Sequence, residues 1–515
     1  VKRRALLRAG LLTAGLGIAG AGWPAAQMAL GSAEPGKLLR SQVPLPPHYH
    51  ARLPIPDQLA PIASDTTSDY YAVTQRAADL AILPGLTTAA WTYGGTFPGP
   101  TIVSRSGRRA VIRHHNALAV PVAVHLHGGH TPPDSDGYPL DLIEPRATAH
   151  AMTHDDGMRS GMSRNSVVGQ REYVYPMQQR AATLWYHDHR MSYTGQAVWR
   201  GLAGFHIVHD DEERGLPLPN GHRDIPLMIT DRSFAADGSF QYPLTDGGDV
   251  AAPYMNGVLG DVVLVNGAPW PVLDTDPARY RFRVLNASNA RRYRLQLDPP
   301  PPGGSAFTQI GSDGGLLPSP LTYDAIDIAP AERFDLVVDF SRYRPGTRVQ
   351  LVNTLGAQAS ARVMRFDVVG TDRSDESTIP QRLSETFVPL DRNGATTTRT
   401  FLFGQGRAGV WMINNKPYRP GVPLATPRVG DVEIWRFITD IRHPIHVHLN
   451  HFQVLSRDNR PPGPFDHGWK DTIDVAPAEA VEVIVRFTDY KGTYLVHCHN
   501  LEHEDMAMMA DFVTV

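Results

Sequence analysis

The placement of the histidines constrains this chain more than any other feature. Apart from His48 and His50 in a proline-dense stretch, eight of its 22 histidines fall in four His-x-His pairs: His125 with His127, His187 with His189, His446 with His448, and His497 with His499. On an extended backbone residues i and i+2 share a face, so each pair aims two imidazoles the same way, near enough to share a metal ion or bind adjacent ones. Two of these four pairs precede residue 190 and two follow residue 445, whereas between Asp210 and Arg442 the sole histidine is His222. Eight ligands suit three metal ions, and chance matches of this number, type and placement are improbable. The consequence for folding is mechanical: the two ends of the chain must meet, and the stretch between them cannot build a multi-histidine site.

The last pair brackets the only cysteine, in His497-Cys498-His499-Asn500-Leu501-Glu502-His503-Glu504-Asp505-Met506-Ala507-Met508. Strand alternation sends Cys498 to the face opposite His497 and His499, so one strand serves two sites. Cys498, His503 and Met508 follow at intervals of five. A thiolate, an imidazole and a weak thioether are ligand types of a blue-copper electron-transfer site, which takes a second imidazole from elsewhere. His443, in His443-Pro444-Ile445-His446-Val447-His448, is an odd number of residues from His446 and so falls on the cysteine face, although Pro444 is an unusual residue within a strand. A lone cysteine excludes an intramolecular disulfide and leaves that thiol for a metal. A zinc hydrolase built on His125, His127 and His130 fits less well, because Gly129 stands where an aspartate is expected.

At 515 residues the chain is long enough for about three domains at roughly 150 residues each. Charge is near balance, 49 Lys+Arg against 52 Asp+Glu with no basic stripe, which argues against nucleic acid as a partner. Residues 1–33, opening Val1-Lys2-Arg3-Arg4, read as a twin-arginine export signal with cleavage after Ala26 or Ala33. The expected destination is extracellular or cell-envelope. Its apolar run is shorter than the ~20 residues of a membrane span. Beyond it, short apolar runs alternate with Gly, Pro, Asn and Asp clusters, the pattern of β-sandwich modules. A turn followed by an alternating strand recurs three times, after Gly94-Gly95-Thr96, Asn266-Gly267 and Asn414-Asn415. The expected units are residues 34–215, with a proline-rich strap over 41–61; 216–370, a scaffold without metal; 371–400, a polar linker; and 401–515.

These motifs resemble those of three-domain multicopper oxidases, most closely the branch of bacterial spore-coat laccase, bilirubin oxidase and phenoxazinone synthase. The likeness runs from about residue 94 to 515 and is carried by residues 125–139, 185–210, 309–318 and 443–508. It implies an all-β chain of three tandem cupredoxin-like Greek-key β-sandwich domains holding four copper ions. A type 1 copper would be bound by Cys498, His443, His503 and Met508, and a type 2 copper by His125 and His446. A type 3 pair would be bound by His127, His187, His189, His448, His497 and His499.

The implied reaction is one-electron oxidation of a small aromatic donor, a phenol or aminophenol, coupled to four-electron reduction of dioxygen to water. Electrons would enter at the edge of His503 or His443. Oxygen reduction consumes protons, and Asp136 and Glu504 match family positions that manage them. Each has a plainer reading, a tight-turn aspartate and a solvated loop charge. The segment from His150 to Met162 gathers soft ligands suited to Cu(I), which makes a cuprous-ion oxidase the alternative enzyme, or else it is a loop with incidental methionines. A non-catalytic copper-binding cupredoxin protein would have little need for twelve ligands.

Overall fold

The computed structural model describes residues 36–146, 165–370, 374–406 and 409–515. The export segment at residues 1–33 and the His/Met segment at 150–162 lie outside the described residues. The chain is built of strands, as its alternating sequence demands, and the described α-helices are short: α1, Thr194–Trp199; α2, Asp211–Arg214; and α3, Leu501–Asp505. No helix among the described residues is long and apolar enough to cross a membrane.

Six sheets of four or more strands pair into three sandwiches. In the first, a five-stranded sheet around Ser68–Leu80 and Arg109–Asn116 faces a four-stranded sheet ordered Gly99–Arg105, Ala203–His209, Ala182–Asp188 (β2), Val124–His127 (β1). Tyr71, Ile112 and Tyr173 from one sheet pack with Val124, Leu126 and Leu184 from the other. The second sandwich sets a seven-stranded sheet, which includes Arg279–Asn286, Arg333–Asp339 (β3) and Phe307–Ser312, against a five-stranded one. In the third, a five-stranded sheet around Val432–Thr439 and Ala480–Arg486 covers a four-stranded sheet. That sheet has the strands His443–Val447 (β4), Thr472–Val475 (β5), Gly492–Cys498 (β6) and Met509–Thr514 (β7), in the order β5, β4, β6, β7.

Every residue of β1, β2 and β4 is buried, including His125, His127, His187, His443 and His446. An antiparallel sheet usually keeps one wet face with polar residues; here the second face of each sheet is covered by another sandwich. The three repeated turns contain positive-φ residues, with φ of 71° at Gly94, 49° at Asn266 and 53° at Asn414, which accounts for their Gly and Asn content.

Residues 37–39 and the proline-rich strap that follows tie units together. Lys37–Leu38 pairs in parallel with Val258–Leu259, the Leu53 amide donates to Val272 O (2.8 Å), and the Leu59 amide donates to Thr101 O (2.8 Å). Leu39 and Leu53 are buried in the core of the second sandwich.

The expected linker at 371–400 differs from what its polarity suggested. Strand Thr397–Gln405 begins inside it and pairs with Val432–Thr439. Upstream, Leu383 is buried against Leu218 and Leu317, and the Glu212 carboxylate accepts from the amides of Glu385 (2.6 Å) and Thr386 (2.9 Å). These polar residues are held by a carboxylate more than 170 positions away, which local composition cannot reveal.

Candidate metal centre

Strands β4 and β6 lie side by side with Ile445 opposite Cys498 and His446 opposite His497, so alternation separates two ligand sets across one sheet. Pro444 is accommodated because the ladder with β6 starts only at Ile445, and its carbonyl accepts the His499 amide at 2.6 Å.

On one face His443 Nδ1 lies 3.3 Å from Cys498 Sγ, Sγ lies 3.5 Å from His503 Nδ1, and the two Nδ1 atoms are 3.1 Å apart. The centre of that triangle is roughly 2 Å from each corner, a metal–ligand bond length. Helix α3 and the turn after it close the site: the Met508 amide donates to His503 O (2.9 Å), and the Cys498 amide to Met508 O (3.0 Å). Met508 is buried in the same apolar cluster as Cys498. Burial pushes the Cys498 thiol well above its ordinary pKa, so a thiolate there requires a bound cation. His443 donates from Nε2 to Asp440 Oδ1 (3.1 Å), which fixes Nδ1 as its free nitrogen. The Trp411 ring lies 3.9 Å from that of His503.

On the opposite face the four pairs converge from both ends of the chain. Ligand atoms of His125, His446 and His448 form one group within 4.8 Å of each other; His127, His187 and His499 form a second; His189, His448 and His497 form a third. His125 Nε2 is 3.4 Å from His446 Nε2, and His448 Nε2 is 3.2 Å from His497 Nε2. Rings from opposite ends stack, His127 on His446 at 3.7 Å and His125 on His448 at 3.9 Å.

The outer nitrogens are oriented individually. His125 Nδ1 donates to Asp136 O (2.5 Å), His187 Nδ1 to Asp188 O (2.8 Å), and His446 Nδ1 to Asp471 O (2.9 Å). His448 Nδ1 donates to the Asp136 carboxylate (2.7 Å). His127 is reversed: its Nε2 donates to Asp471 Oδ1 (3.0 Å), leaving Nδ1 inward. The inward His127 Nδ1 and His187 Nε2, and both nitrogens of His189 and His499, have no hydrogen-bond partner among the described residues. Buried polar atoms without partners are costly, so so many in one place fit a site completed by metal. Burial first, and then neighbouring imidazoles, preceded at His127 by the Arg333 guanidinium, holds His125, His127, His187, His446 and His448 far below their ordinary pKa, which keeps their lone pairs available.

Both predicted carboxylates reach this cluster. Asp136 is buried, and burial pushes it up to about 7 against the pull of His189 and His497. Glu504 is not the solvated charge that a loop position allowed. It is fully buried, with oxygens 3.3 Å from His189 Nδ1 and 3.2 Å from His497 Nδ1. Burial opposes its ionisation, but those imidazoles outweigh it and hold the carboxyl well below its usual range.

The imidazole edges expected to receive electrons lie under a cover: His443 and His503 are both fully buried. Their cover is Trp411 and Asp440, whose side chain is 20 % exposed. Neither was singled out from the sequence, nor was Asp471. Trp185 shares a strand face with His187 and stacks on it at 4.2 Å.

Comparison with known proteins places this geometry. Multicopper oxidase profiles match residues 75–154, 148–213 and 391–515. A laccase of Bacillus subtilis is 37 % identical over an alignment covering 89 % of this chain and 96 % of the relative. A bilirubin oxidase of Albifimbria verrucaria is 34 % identical, over 90 % of this chain and 81 % of its own. The crystal structure of a laccase from Pediococcus acidilactici superposes with a TM-score of 0.79 at 32 % identity, covering 93 % of this chain and 96 % of that one.

Proposed function

Because this chain belongs to the multicopper oxidase family, we propose that it works as a laccase-like oxidase, taking electrons singly from phenols or aminophenols and delivering four to dioxygen to make water. The observation that carries the reading is strand β6 with the residue after it, which holds Cys498 in a sulfur–imidazole triangle on one face and His497 and His499 in the imidazole cluster on the other. Two residues of backbone therefore join the sites.

The donors fit four copper ions. Cys498, His443, His503 and Met508 would hold a type 1 ion, and His125 and His446 a type 2 ion. His127, His187 and His499, with His189, His448 and His497, would hold a type 3 pair. Copper bound there would supply one-electron redox chemistry between its two oxidation states. The protein's part is orientation and proton supply. Asp440 fixes the His443 ring, Asp136 fixes His448, and Trp411 and the neighbouring core keep water from the thiolate. Beside the cluster, Asp136 would hold a proton, and the ionised Glu504 carboxylate would take one up and pass it on.

Oxygen uptake by the copper-loaded protein, measured with a phenol, an aminophenol and Cu(I) as donors, tests the reading. Uptake with the aromatic donors is expected; uptake with Cu(I) alone would favour the cuprous-ion alternative, and none at all would leave a copper-binding protein. Export by the twin-arginine route belongs to the same proposal and is checked by fractionating cells that carry Arg3→Lys and Arg4→Lys.

A further inference from the structure

The middle sandwich supplies none of the twelve proposed ligands, yet it sends one side chain to the edge of the cluster. Arg333, the first residue of β3, is fully buried. A guanidinium has five N–H donors in a fixed plane, and all five are engaged. Nε donates to Thr183 O (2.9 Å) on β2 of the first sandwich. Nη1 donates to Ala331 O (3.0 Å), and Nη2 to Asp313 O (3.1 Å), both in the second. The two remaining donors form a fork on the Asp471 carboxylate of the third sandwich, with Nη1 to Oδ1 at 2.6 Å and Nη2 to Oδ2. One side chain thus contacts all three units.

Asp471 is where this contact reaches the proposed copper ligands. Its Oδ1 accepts from His127 Nε2 (3.0 Å), and its backbone carbonyl accepts from His446 Nδ1 (2.9 Å). The first bond decides which nitrogen of His127 faces the cluster. The backbone at this point is held from the second sandwich as well, since Asp313 Oδ2 accepts the amides of Asp471 and Thr472, both at 3.3 Å. Gly128, directly after His127, leaves the space: a Cβ there would lie 2.6 Å from Arg333 Nη2 and 2.7 Å from Asp471 Oδ2.

We propose that Arg333 is a positioning residue of the trinuclear site, acting through Asp471 to hold His127 with Nδ1 inward and His446 with Nε2 inward. The inference rests on the copper reading above. A lysine could not replace it, because a single ammonium cannot meet two carboxylate oxygens and three carbonyls in one plane.

The test is retention of copper by the full chain against an increasing concentration of chelator, with the type 1 and type 2 ions followed separately by their electron paramagnetic resonance signals and total copper by elemental analysis. Loss of an outer-shell partner typically lowers metal affinity 10–100-fold. In Arg333→Lys the trinuclear copper should therefore leave at roughly 10–100-fold less chelator while the type 1 signal is unchanged. Arg281→Lys is the control. Arg281 is an equally buried arginine of the same sandwich that pairs with Asp335 and Glu213 and makes no contact with Asp471; its variant should hold copper as the wild type does.

If Arg333→Lys does not accumulate as folded protein, Asp471 decides. Asp471→Asn retains an acceptor for His127 and should hold trinuclear copper better than Asp471→Ala. Wild-type retention in Arg333→Lys, equal losses in Arg333→Lys and Arg281→Lys, or equal losses in the two Asp471 variants would overturn the inference while leaving the copper reading intact. A wild type that takes up no trinuclear copper would overturn both.

Discussion

Cys498 and Glu504 make opposite demands of burial. Cys498 needs a cation before it can ionise, whereas Glu504 lies between two imidazoles that favour its charge. Glu504→Gln keeps size and hydrogen bonding but removes the acid. The variant should retain its copper and its colour and be reduced at the wild-type rate, while stopped-flow reoxidation by dioxygen slows by ~10²–10⁴-fold, the usual worth of a positioned proton-transfer group; an unchanged rate would remove Glu504 from the proton path. Met508→Leu should keep the blue colour and raise the type 1 potential, because loss of a weak axial donor favours the reduced ion. Redox titration with an unchanged midpoint would argue against Met508 as the axial ligand. The eight histidines of the cluster could be read from sequence because they lie at i, i+2 spacing, where the strand period of two dictates the face. Asp471, Trp411 and Arg333 could not, since each reaches its partner across the fold, and Asp440, although only three residues before His443, belongs to no motif that marks it.

Among elements, β6 and α3 were legible as chemistry, but what keeps the strands dry was not. His114 on Arg109–Asn116 and His206 on Ala203–His209 lie outside the metal cluster, and burial lowers each to about 3. Their partners are Gln75 Nε2 (2.7 Å) and Ser104 Oγ (2.7 Å) respectively. With folded pKa values depressed below the ordinary 6.5, the unfolded chain binds protons that the folded chain refuses. Their stabilising effect is therefore complete above about pH 6.5 and is lost as pH falls towards 3, at a cost of about 2 kcal/mol per histidine between pH 7 and pH 5. Denaturant titrations of the copper-free protein should show a smaller loss between those pH values in His114→Gln and His206→Gln. Equal losses in variant and wild type would mean that these imidazoles are protonated in the folded state. The linker misreading has the same origin as the unread partners: Leu383 and Glu385 are fixed by residues about 165–175 positions upstream, and a polar composition says nothing of that.

At the scale of the molecule, the sequence predicts that the ends must meet, and the clusters of His125 with His446, His127 with His499 and His189 with His497 lie where they do. It gave no sign that the middle sandwich, poor in histidine, would be tied to that junction through Arg333 and Asp313. A chain truncated after residue 370 should take up no trinuclear copper however well its two sandwiches fold, because each imidazole cluster would lose ligands; recovery of a three-copper spectrum from it would refute a shared site. The central claim is that one strand, β6, carries a thiolate site and an imidazole cluster on its two faces. Copper analysis and electron paramagnetic resonance of wild type and Cys498→Ser test it most directly. About four coppers per chain are expected in an intensely blue wild type, falling to about three in a colourless variant that keeps its type 2 signal, since one four-donor site and eight imidazoles for three ions make up the set. A fully metallated and active wild type without blue colour, or a Cys498→Ser variant that stays blue, would contradict the account.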